Sequence, residues 1–339
     1  MKIVVDVFGG DHAPAEIIKG CALALYKDPE LRLILTGEER AVRDGMKAAG
    51  ADLARCEIID APDVITNDDP PVEAIKRKTD SSLVKALDIL KSDPEAAGLV
   101  SCGSTGAVLA GGTLRVGRIK GVSRPALAPI LPTLTGGNVL LIDCGANMDS
   151  KPLYLAHFAL MGSAYMRGLY GVENPRVALL SVGTEDKKGN ELTKAAFSIL
   201  KTLPINFVGN MEARDCISGD YDVLVCDGFV GNVALKALEG ALLSVMKVLK
   251  STIKSSLKTK IGGALIQKAL KRDLSRLDYI KTGGAAFLGL EKAIVKGHGT
   301  AKAETVCFSI MQAKKMANGG VVEEIRRVIG EAAIETDNL

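Results

Sequence analysis

The stretch that decides the fold is residues 6–14, which read D-V-F-G-G-D-H-A-P. It joins the apolar, β-branched run at 3–8, typical of a strand buried on both faces, to a helix expected to begin at Pro14. Gly9 and Gly10 let the backbone approach a ligand closely, and the acid and histidine that follow add polar groups. In an open α/β sheet, ligands bind at such junctions. A tight turn with a capping aspartate is the alternative interpretation.

Length and composition set the outer limits. The 339 residues are 47% hydrophobic and 24% charged, which is typical of a soluble globular chain, and no change in composition marks a boundary within 1–339. A net charge of +3 is too small to indicate nucleic-acid binding. The seven cysteines are scattered without a C-x-x-C pair, so neither disulfides nor a zinc site is indicated. No apolar run reaches the roughly 18 residues of a membrane span, so we expect a cytoplasmic protein with at most peripheral membrane contact.

Short apolar runs alternate with helix-like segments along the chain. This alternation predicts βαβ units, and therefore an α/β fold with a mostly parallel sheet. The expected strands beyond the first are 31–35, 56–59, 98–101, 139–143, 176–182, 205–208, 222–226 and 293–295. The expected helices include 105–116, 153–169, 190–203, 232–250 and 301–317.

Four of the strand ends carry polar or glycine-rich loops, at 9–12, 103–106, 143–147 and 227–232. The carboxyl ends of parallel strands meet at one edge of a sheet, so these loops are expected to converge. The sequence therefore predicts one site built from separate segments.

The second of these loops has the composition of a phosphate cradle. It reads Gly103-Ser104-Thr105-Gly106 and opens a helix, where free backbone N–H groups and hydroxyls favour an anion. A turn that serves packing alone is the alternative. The loop matches neither G-x-G-x-x-G nor G-x-x-x-x-G-K-[ST], which disfavours a dinucleotide dehydrogenase or a P-loop kinase.

Three further side chains are candidates for charge stabilisation. Lys187 and Lys188, in the loop at 184–190, would neutralise phosphate oxygens, or else lie solvated. Asn232 would direct an amide N–H at a developing oxyanion, or else serve as a helix N-cap.

The thiol and the imidazoles offer alternative chemistry. Cys102, just before a helix, is either an acyl-accepting nucleophile or a small buried hydrophobe. His12 and His298 lie in glycine-flanked loops, whereas His157 falls in a helix and is expected to be structural. Neither loop histidine has the spaced partners of a zinc site, so no metal is predicted.

A helical segment at 234–276 is expected to project from the fold. Leu249, Ile253, Leu257 and Ile261 recur every fourth residue and predict an apolar stripe on one helix. Such a helix binds an anionic membrane, covers a dimer interface, or does both. Between 241 and 276 a single acid, Asp273, accompanies nine basic residues: Lys247, Lys250, Lys254, Lys258, Lys260, Lys268, Lys271, Arg272 and Arg276.

Several long motifs in order resemble one family, the bacterial phosphate acyltransferases of phospholipid synthesis (acyl-acyl carrier protein:phosphate transacylases, PlsX). The resemblance covers nearly the whole chain. The motifs are residues 9–14, 117–121, 124–129, 143–147, 188–194 and 226–232. The chain departs from the family pattern with Val7-Phe8 where Ala-Met is expected, and with Cys102 and Ser104 where Ala and Asn are common.

The resemblance implies a three-layer α/β/α fold similar to isocitrate dehydrogenase and phosphotransacetylase, in a homodimer. The reaction would transfer a long acyl chain from acyl carrier protein to inorganic phosphate, without a cofactor, and supply acyl phosphate to the membrane glycerol-phosphate acyltransferase. Expected catalytic residues are Lys187, Lys188, Asn232 and His12. Expected phosphate-binding residues are Gly9, Gly10, Asp11, Gly103, Ser104, Thr105, Gly106 and Asn147.

Two other functions remain as alternatives. One is an oxidoreductase of the related dehydrogenase fold, using NAD and a metal, which the missing dinucleotide fingerprint disfavours. The other is a scaffold without catalytic activity that recruits lipid enzymes to the membrane through the basic helix.

Overall fold

The structure, a computed structural model, describes residues 1–274 and 282–332. Strands and helices alternate along it. The strands, β1 to β12, are Lys2–Asp6, Arg32–Gly37, Cys56–Asp60, Ala96–Ser101, Ala126–Ala128, Ile130–Pro132, Asn138–Ile142, Arg176–Ser181, Asn206–Glu212, Val223–Val225, Ala285–Leu288 and Ala293–Lys296. The helices, α1 to α11, are Ala15–Lys27, Glu39–Ala48, Pro71–Arg77, Ser82–Ser92, Thr105–Gly111, Pro152–Tyr170, Glu191–Leu200, Gly228–Lys254, Leu257–Leu274, Ala303–Asn318 and Val321–Ala332.

The strands form two sheets. Seven strands follow the order β3-β2-β1-β4-β12-β11-β5, and five follow the order β6-β7-β10-β8-β9. Most neighbours are parallel, with antiparallel pairs where β11 meets β12 and β5, and where β6 meets β7. The predicted α/β class with mostly parallel strands is confirmed, but the expected single sheet is divided in two.

Helices cover both faces of the seven-stranded sheet. Ile3 and Val5 of β1 are fully buried in a core cluster that includes residues of α1 and α10. Val4, between them, is fully buried in a second cluster with residues of α4 and α5. The strand is apolar at each of positions 3–5, as expected of a strand buried on both faces, and it ends at the buried Asp6.

The larger core cluster also joins the two sheets. It contains Val5 from the first sheet, Leu140 and Ile142 from the second, and Phe158 and Met161 of α6. A core shared in this way leaves no gap where a domain boundary would fall, although the single unit over 1–339 stays a prediction.

Several predicted boundaries change. β1 ends at Asp6, so Val7 and Phe8 lie in the turn, and α1 begins at Ala15 with Pro14 as its N-cap. The expected helix at 105–116 is α-helical to Gly111 and then continues as a π-helical turn. These shifts move the strand-to-helix turn without removing it.

The segment predicted to project, 234–276, consists of α8 and α9 packed together as a hairpin. The single helix expected from the four-residue repeat is wrong, because the chain turns between Lys254 and Leu257. Ile253 instead packs against Gly263 of α9. Arg276, and the rest of 275–281, lie outside the described residues. Large apolar side chains stay exposed along the hairpin: Leu243, Val245, Met246, Val248, Leu257, Ile261, Leu265 and Ile266.

Helix α8, Gly228–Lys254, is long and apolar enough to cross a membrane by length and composition, with a mean hydropathy of 1.4 in its most apolar window. It contradicts the expectation that no segment reaches that length. Only 6% of this window is buried, and one such helix is weak support for a membrane span.

Helix packing gives a direct test of this fold. A Cβ on Gly20 of α1 would lie 2.5 Å from the Val306 Cβ of α10, so Gly20→Ala should lower the free energy of unfolding by about 1–3 kcal/mol. Gly330 of α11 has open space instead, so Gly330→Ala should raise it by roughly 0.5–1 kcal/mol. Urea denaturation measures both, and equal effects would contradict the α1–α10 packing.

Candidate active site

The first group of loops follows the adjacent strands β1, β4 and β12. The Asp11 N–H donates to the Gly299 carbonyl at 2.8 Å, which joins the loop after β1 to the loop after β12. A Cβ on Gly9 would lie 2.8 Å from the Gly103 amide nitrogen. The close approach that the two glycines predict is therefore, at Gly9, an approach between loops.

The second group follows the adjacent strands β7, β10 and β8 of the other sheet, and the buried Asp143 carboxylate organises it. Asp143 Oδ1 accepts N–H bonds from Leu127 at 2.8 Å and Cys144 at 2.7 Å, and a longer one from Ala146. Oδ2 accepts from the backbone N–H of Asn147 at 2.6 Å and from its side-chain amide at 3.0 Å. Leu127 belongs to the seven-stranded sheet, so this one carboxylate ties the two sheets together.

Asn147 is engaged within its own loop. Its side-chain Nδ2 donates to the Pro125 carbonyl at 2.8 Å as well as to Asp143. These bonds use both amide hydrogens. Its expected phosphate contact stays a prediction that its Nδ2 donors do not support.

Asn232 lies in the first turns of α8. The N-cap is Asp227, whose Oδ1 accepts from the Phe229 and Val230 N–H groups, so the alternative interpretation of Asn232 as the cap is wrong. Asn232 is half-buried, and its amide lies beside Gly145 at the end of β7. Its side chain is therefore available to a ligand.

A cavity of about 400 Å³ lies between the carboxyl edges of the two sheets. The first sheet contributes Thr105 and Lys296, and the second contributes Gly145 and Asn232. The rest of the wall is mainly apolar, and includes Leu127, Ile130, Leu131, Ile217, Leu235, Leu238 and Leu242. Loops from both sheets thus reach one cavity, as the predicted convergence requires.

A second cavity, of about 310 Å³, is more polar and adjoins the first. Three residues line both cavities, namely Thr105, Lys296 and Gly299. Ser104 makes no capping bond to α5, so the first N–H groups of that helix stay open to a ligand. The residues that line this cavity include Gly10, Asp11, Gly103, Ser104 and the 64–67 loop.

Besides Gly9 and Asn147, four further expected site residues line neither cavity. Lys187 and Lys188 are exposed in the loop after β8, and His12 is exposed after β1. Gly106 faces Pro71 within the first turn of α5. Among the residues that the structure describes, none of the four lines either cavity. Their roles stay predictions.

Burial decides between the alternatives for the thiol. Cys102 is 2% exposed, and this burial raises its pKa to about 11. The thiol is therefore protonated at neutral pH, which favours the small buried hydrophobe over the nucleophile.

The surroundings of His157 and His298 also distinguish a structural histidine from one at the large cavity. Burial lowers the pKa of His157 to about 4, and its Nδ1 accepts the Ser123 N–H, as expected of a structural histidine. His298 lines the large cavity, and partial burial, aided by Lys236 and Lys296, lowers its pKa. Its Nδ1 accepts from the Thr300 N–H, so the neutral ring carries its proton on Nε2.

Lys296 is the residue that the sequence interpretation misses. It ends β12 in the Lys296-Gly297-His298-Gly299 loop, is 8% exposed, and lines both cavities. A lysine that closes a buried apolar strand was the available signal. No group of three or more metal-ligating side chains occurs within 1–274 and 282–332, and the absence of a metal stays a prediction.

The fold defines the class first. It is similar to a phosphotransacetylase from Streptococcus pyogenes, with a TM-score of 0.61 and 19% identity over 94% of each chain. The phosphotransacetylase-like fold expected from the sequence is confirmed.

The family follows from closer relatives. A family model described as "Fatty acid synthesis protein" matches residues 1–324. A phosphate acyltransferase of Clostridium novyi is 46% identical over 98% of this chain and 100% of its own length. Another, from Clostridium acetobutylicum, is 43% identical over 98% and 99%. The chain belongs to the phosphate acyltransferase family, and is an acyltransferase of lipid biosynthesis that transfers an acyl group to phosphate.

The Asp143 bonds predict a large loss of stability on a minimal change. Asp143→Asn replaces an acceptor oxygen with a donor facing N–H groups, so the free energy of unfolding should fall by about 3 kcal/mol or more. Asp149→Asn, at an exposed position of the same loop, should stay within about 0.5 kcal/mol. Matching urea midpoints for the two variants would contradict this role.

Proposed function

We propose that the protein transfers a long acyl chain from acyl carrier protein to inorganic phosphate. The observation that carries this proposal is the meeting of a large apolar cavity with a smaller polar one at Thr105, Lys296 and Gly299. An acyl chain is compatible with the first cavity and phosphate with the second. Their junction is then where the thioester carbonyl meets the phosphate oxygen.

The chemistry balances without a covalent enzyme intermediate. An oxygen of HPO₄²⁻ forms a bond to the carbonyl carbon, and the C–S bond breaks with its electron pair on sulfur. The proton of the hydrogen phosphate passes to the departing thiolate, which gives acyl phosphate and a free thiol. The buried, protonated Cys102 has no part in this step. The protein must therefore position phosphate and stabilise charge.

The site residues divide between these tasks. Gly10, Gly103, Ser104 and Thr105 hold phosphate through the open N–H groups and hydroxyls around the start of α5. Asp11, at the same cavity, accepts a hydrogen bond from the P–OH group of HPO₄²⁻ before its proton passes to the thiolate. Gly9 contributes by the close approach of its loop to the cradle.

The residue that stabilises the oxyanion comes from the other sheet. The Asn232 amide stabilises the thioester oxygen as it becomes negative. Lys187 and Lys188 supply a cation from the neighbouring loop, and His12 assists proton transfer to the thiol.

The partners follow from the same reaction. Acyl carrier protein delivers the thioester, and a membrane glycerol-phosphate acyltransferase consumes the product. A short basic run at 76–78 has the charge to attract an acidic carrier, but part of it is engaged internally, since Lys78 pairs with Asp69 at 2.7 Å and Arg77 with Glu73 at 2.5 Å. The protein acts as a cytoplasmic homodimer, and the α8–α9 hairpin contacts the partner copy, an anionic membrane surface, or both.

The activity is tested with pure protein, acyl carrier thioester and phosphate. Formation of an acyl phosphate that reacts with hydroxylamine supports the proposal. If the folded protein forms none, the scaffold function replaces it. Binding of a nicotinamide nucleotide in calorimetry would instead support the dehydrogenase alternative.

Substitution tests the roles at the second sheet. Asn232→Ala removes the oxyanion donor and should lower kcat by about 10²- to 10³-fold without dissociating the dimer. Lys187→Ala or Lys188→Ala, whichever lysine reaches the substrate, should lower turnover by at least about tenfold. Lys194→Ala, an exposed lysine of α7, is the matched control and should keep full turnover. Full turnover in all variants would contradict these roles.

Charge reversal tests the hairpin. Lys250, Lys254 and Lys258 are exposed, and each adds about 1 kcal/mol of attraction to an anionic surface. Changing all three to Glu should abolish cosedimentation with phosphatidylglycerol vesicles and leave activity in solution unchanged.

The matched control changes the same charge elsewhere on the surface. Lys47, Lys194 and Lys315 are exposed on other helices, and their change to Glu should leave vesicle binding intact. Persisting vesicle binding in the hairpin variant would leave the hairpin to dimerisation alone.

A further inference from the structure

The Lys296 ammonium is buried with fewer partners than its hydrogens need. Its Nζ donates to the Cys102 carbonyl at 3.4 Å and to the Gly297 carbonyl. A lysine ammonium has three donors, so one N–H is left over. At 8% exposure, bulk water reaches this group only through the cavities that it lines.

The charge of Lys296 is also not neutralised locally. Within the described part of the chain, no carboxylate oxygen lies within 4.0 Å of its Nζ. Burial lowers the pKa of this lysine, and attraction by the carboxylates of Asp11 and Asp6 only opposes that effect. A buried cation without an ion pair destabilises a fold, so the presence of a lysine at position 296 needs an explanation.

The position of Lys296 supplies the explanation. It lines the polar cavity beside Ser104 and Thr105, where the open N–H groups of α5 already favour an anion. It also lines the apolar cavity that holds Asn232. No exposed lysine of the 184–190 loop has this position.

We propose that Lys296 binds the phosphate substrate through the N–H that the two carbonyls leave unused, and holds it at the junction of the two cavities. This inference rests on the proposed function. An anion that enters the polar cavity supplies the missing counter-charge. The same contact places a phosphate oxygen toward the thioester carbon, and the ammonium stabilises the negative charge shared during transfer.

The test compares two lysines of one strand region. Lys296→Met removes the ammonium and keeps an unbranched apolar side chain as long as the lysine chain to its Cε. Lys292→Met, at the opposite end of β12, removes a lysine that also donates to a backbone carbonyl, that of Ala96 at 3.1 Å. The probe is inorganic phosphate, titrated by calorimetry without an acyl donor.

Lys296→Met should raise the Kd for phosphate by at least about tenfold, and the KM for phosphate by a similar factor. The KM for the acyl thioester should change less than about twofold, and Lys292→Met should match the wild type in all three. Phosphate should raise the Tm of the wild type but not that of Lys296→Met. Unchanged Kd and KM for phosphate in Lys296→Met would overturn the assignment.

Folding and the reaction are controlled separately. Without phosphate, Lys296→Met should be at least as stable as the wild type, since it loses an unpaired buried charge. If it does not fold, Lys296→Gln replaces it, because the amide retains N–H donors for backbone carbonyls and removes only the charge. If the wild type binds phosphate but forms no acyl phosphate, the proposed function is contradicted and the assignment of Lys296 to phosphate binding is not. If the wild type forms acyl phosphate and the KM for phosphate is unchanged in both Lys296 variants, only the assignment of Lys296 is contradicted.

Discussion

The buried Asp143 carboxylate is the interaction on which the rest of the site depends. It accepts bonds from the N–H of Leu127 in one sheet and from the loop after β7 in the other. Gly228 of α8 packs against this carboxylate, since a Cβ there would lie 2.8 Å from Asp143 Oδ2, and Gly231 packs against the backbone carbonyl of Asp143. One residue therefore links the two sheets that flank the large cavity to the start of α8. Since α8 carries Asn232, the position of this proposed oxyanion donor depends on the same bonds.

How far the sequence predicts this arrangement depends on the range of the interactions. The β-branched run of β1 and the strand-to-helix turn at the glycine pair are local signals, and both are confirmed within one or two residues. The division into two sheets is not local. It depends on Ala126–Ala128 and Ile130–Pro132, three-residue strands too short for any periodicity, whose partners lie in different sheets. The sequence does not predict the burial of Lys296 for a related reason, because only the packing of three loops buries it.

Helix α8 links the site to the surface of the molecule. It begins at the Asp227 cap beside the cavity and runs for 27 residues, roughly 40 Å, into the exposed hairpin. Its two buried residues, Gly228 and Gly231, lie at the site end, while Leu243 and Val248 farther along stay exposed. An isolated globule would not retain that much apolar surface, so the far end of this helix has a face suited to another surface. A substrate chain that leaves the large cavity past Leu238 and Leu242 would follow this same helix outward.

The apolar cavity excludes water, whereas the charge of Lys296 favours hydration, and Lys296 lines both cavities. An apolar wall excludes water, which protects an acyl phosphate from hydrolysis and strengthens every electrostatic contact at the junction. The same exclusion makes a buried ammonium costly, and the two carbonyls that it contacts offset only part of that cost. Bound phosphate supplies the counter-charge that the ammonium lacks, so the site is less stable without phosphate than with it. A fold built in this way selects its anionic substrate through the charge that it leaves unpaired, whereas Lys187 and Lys188 of the 184–190 loop are exposed and already hydrated before the substrate binds.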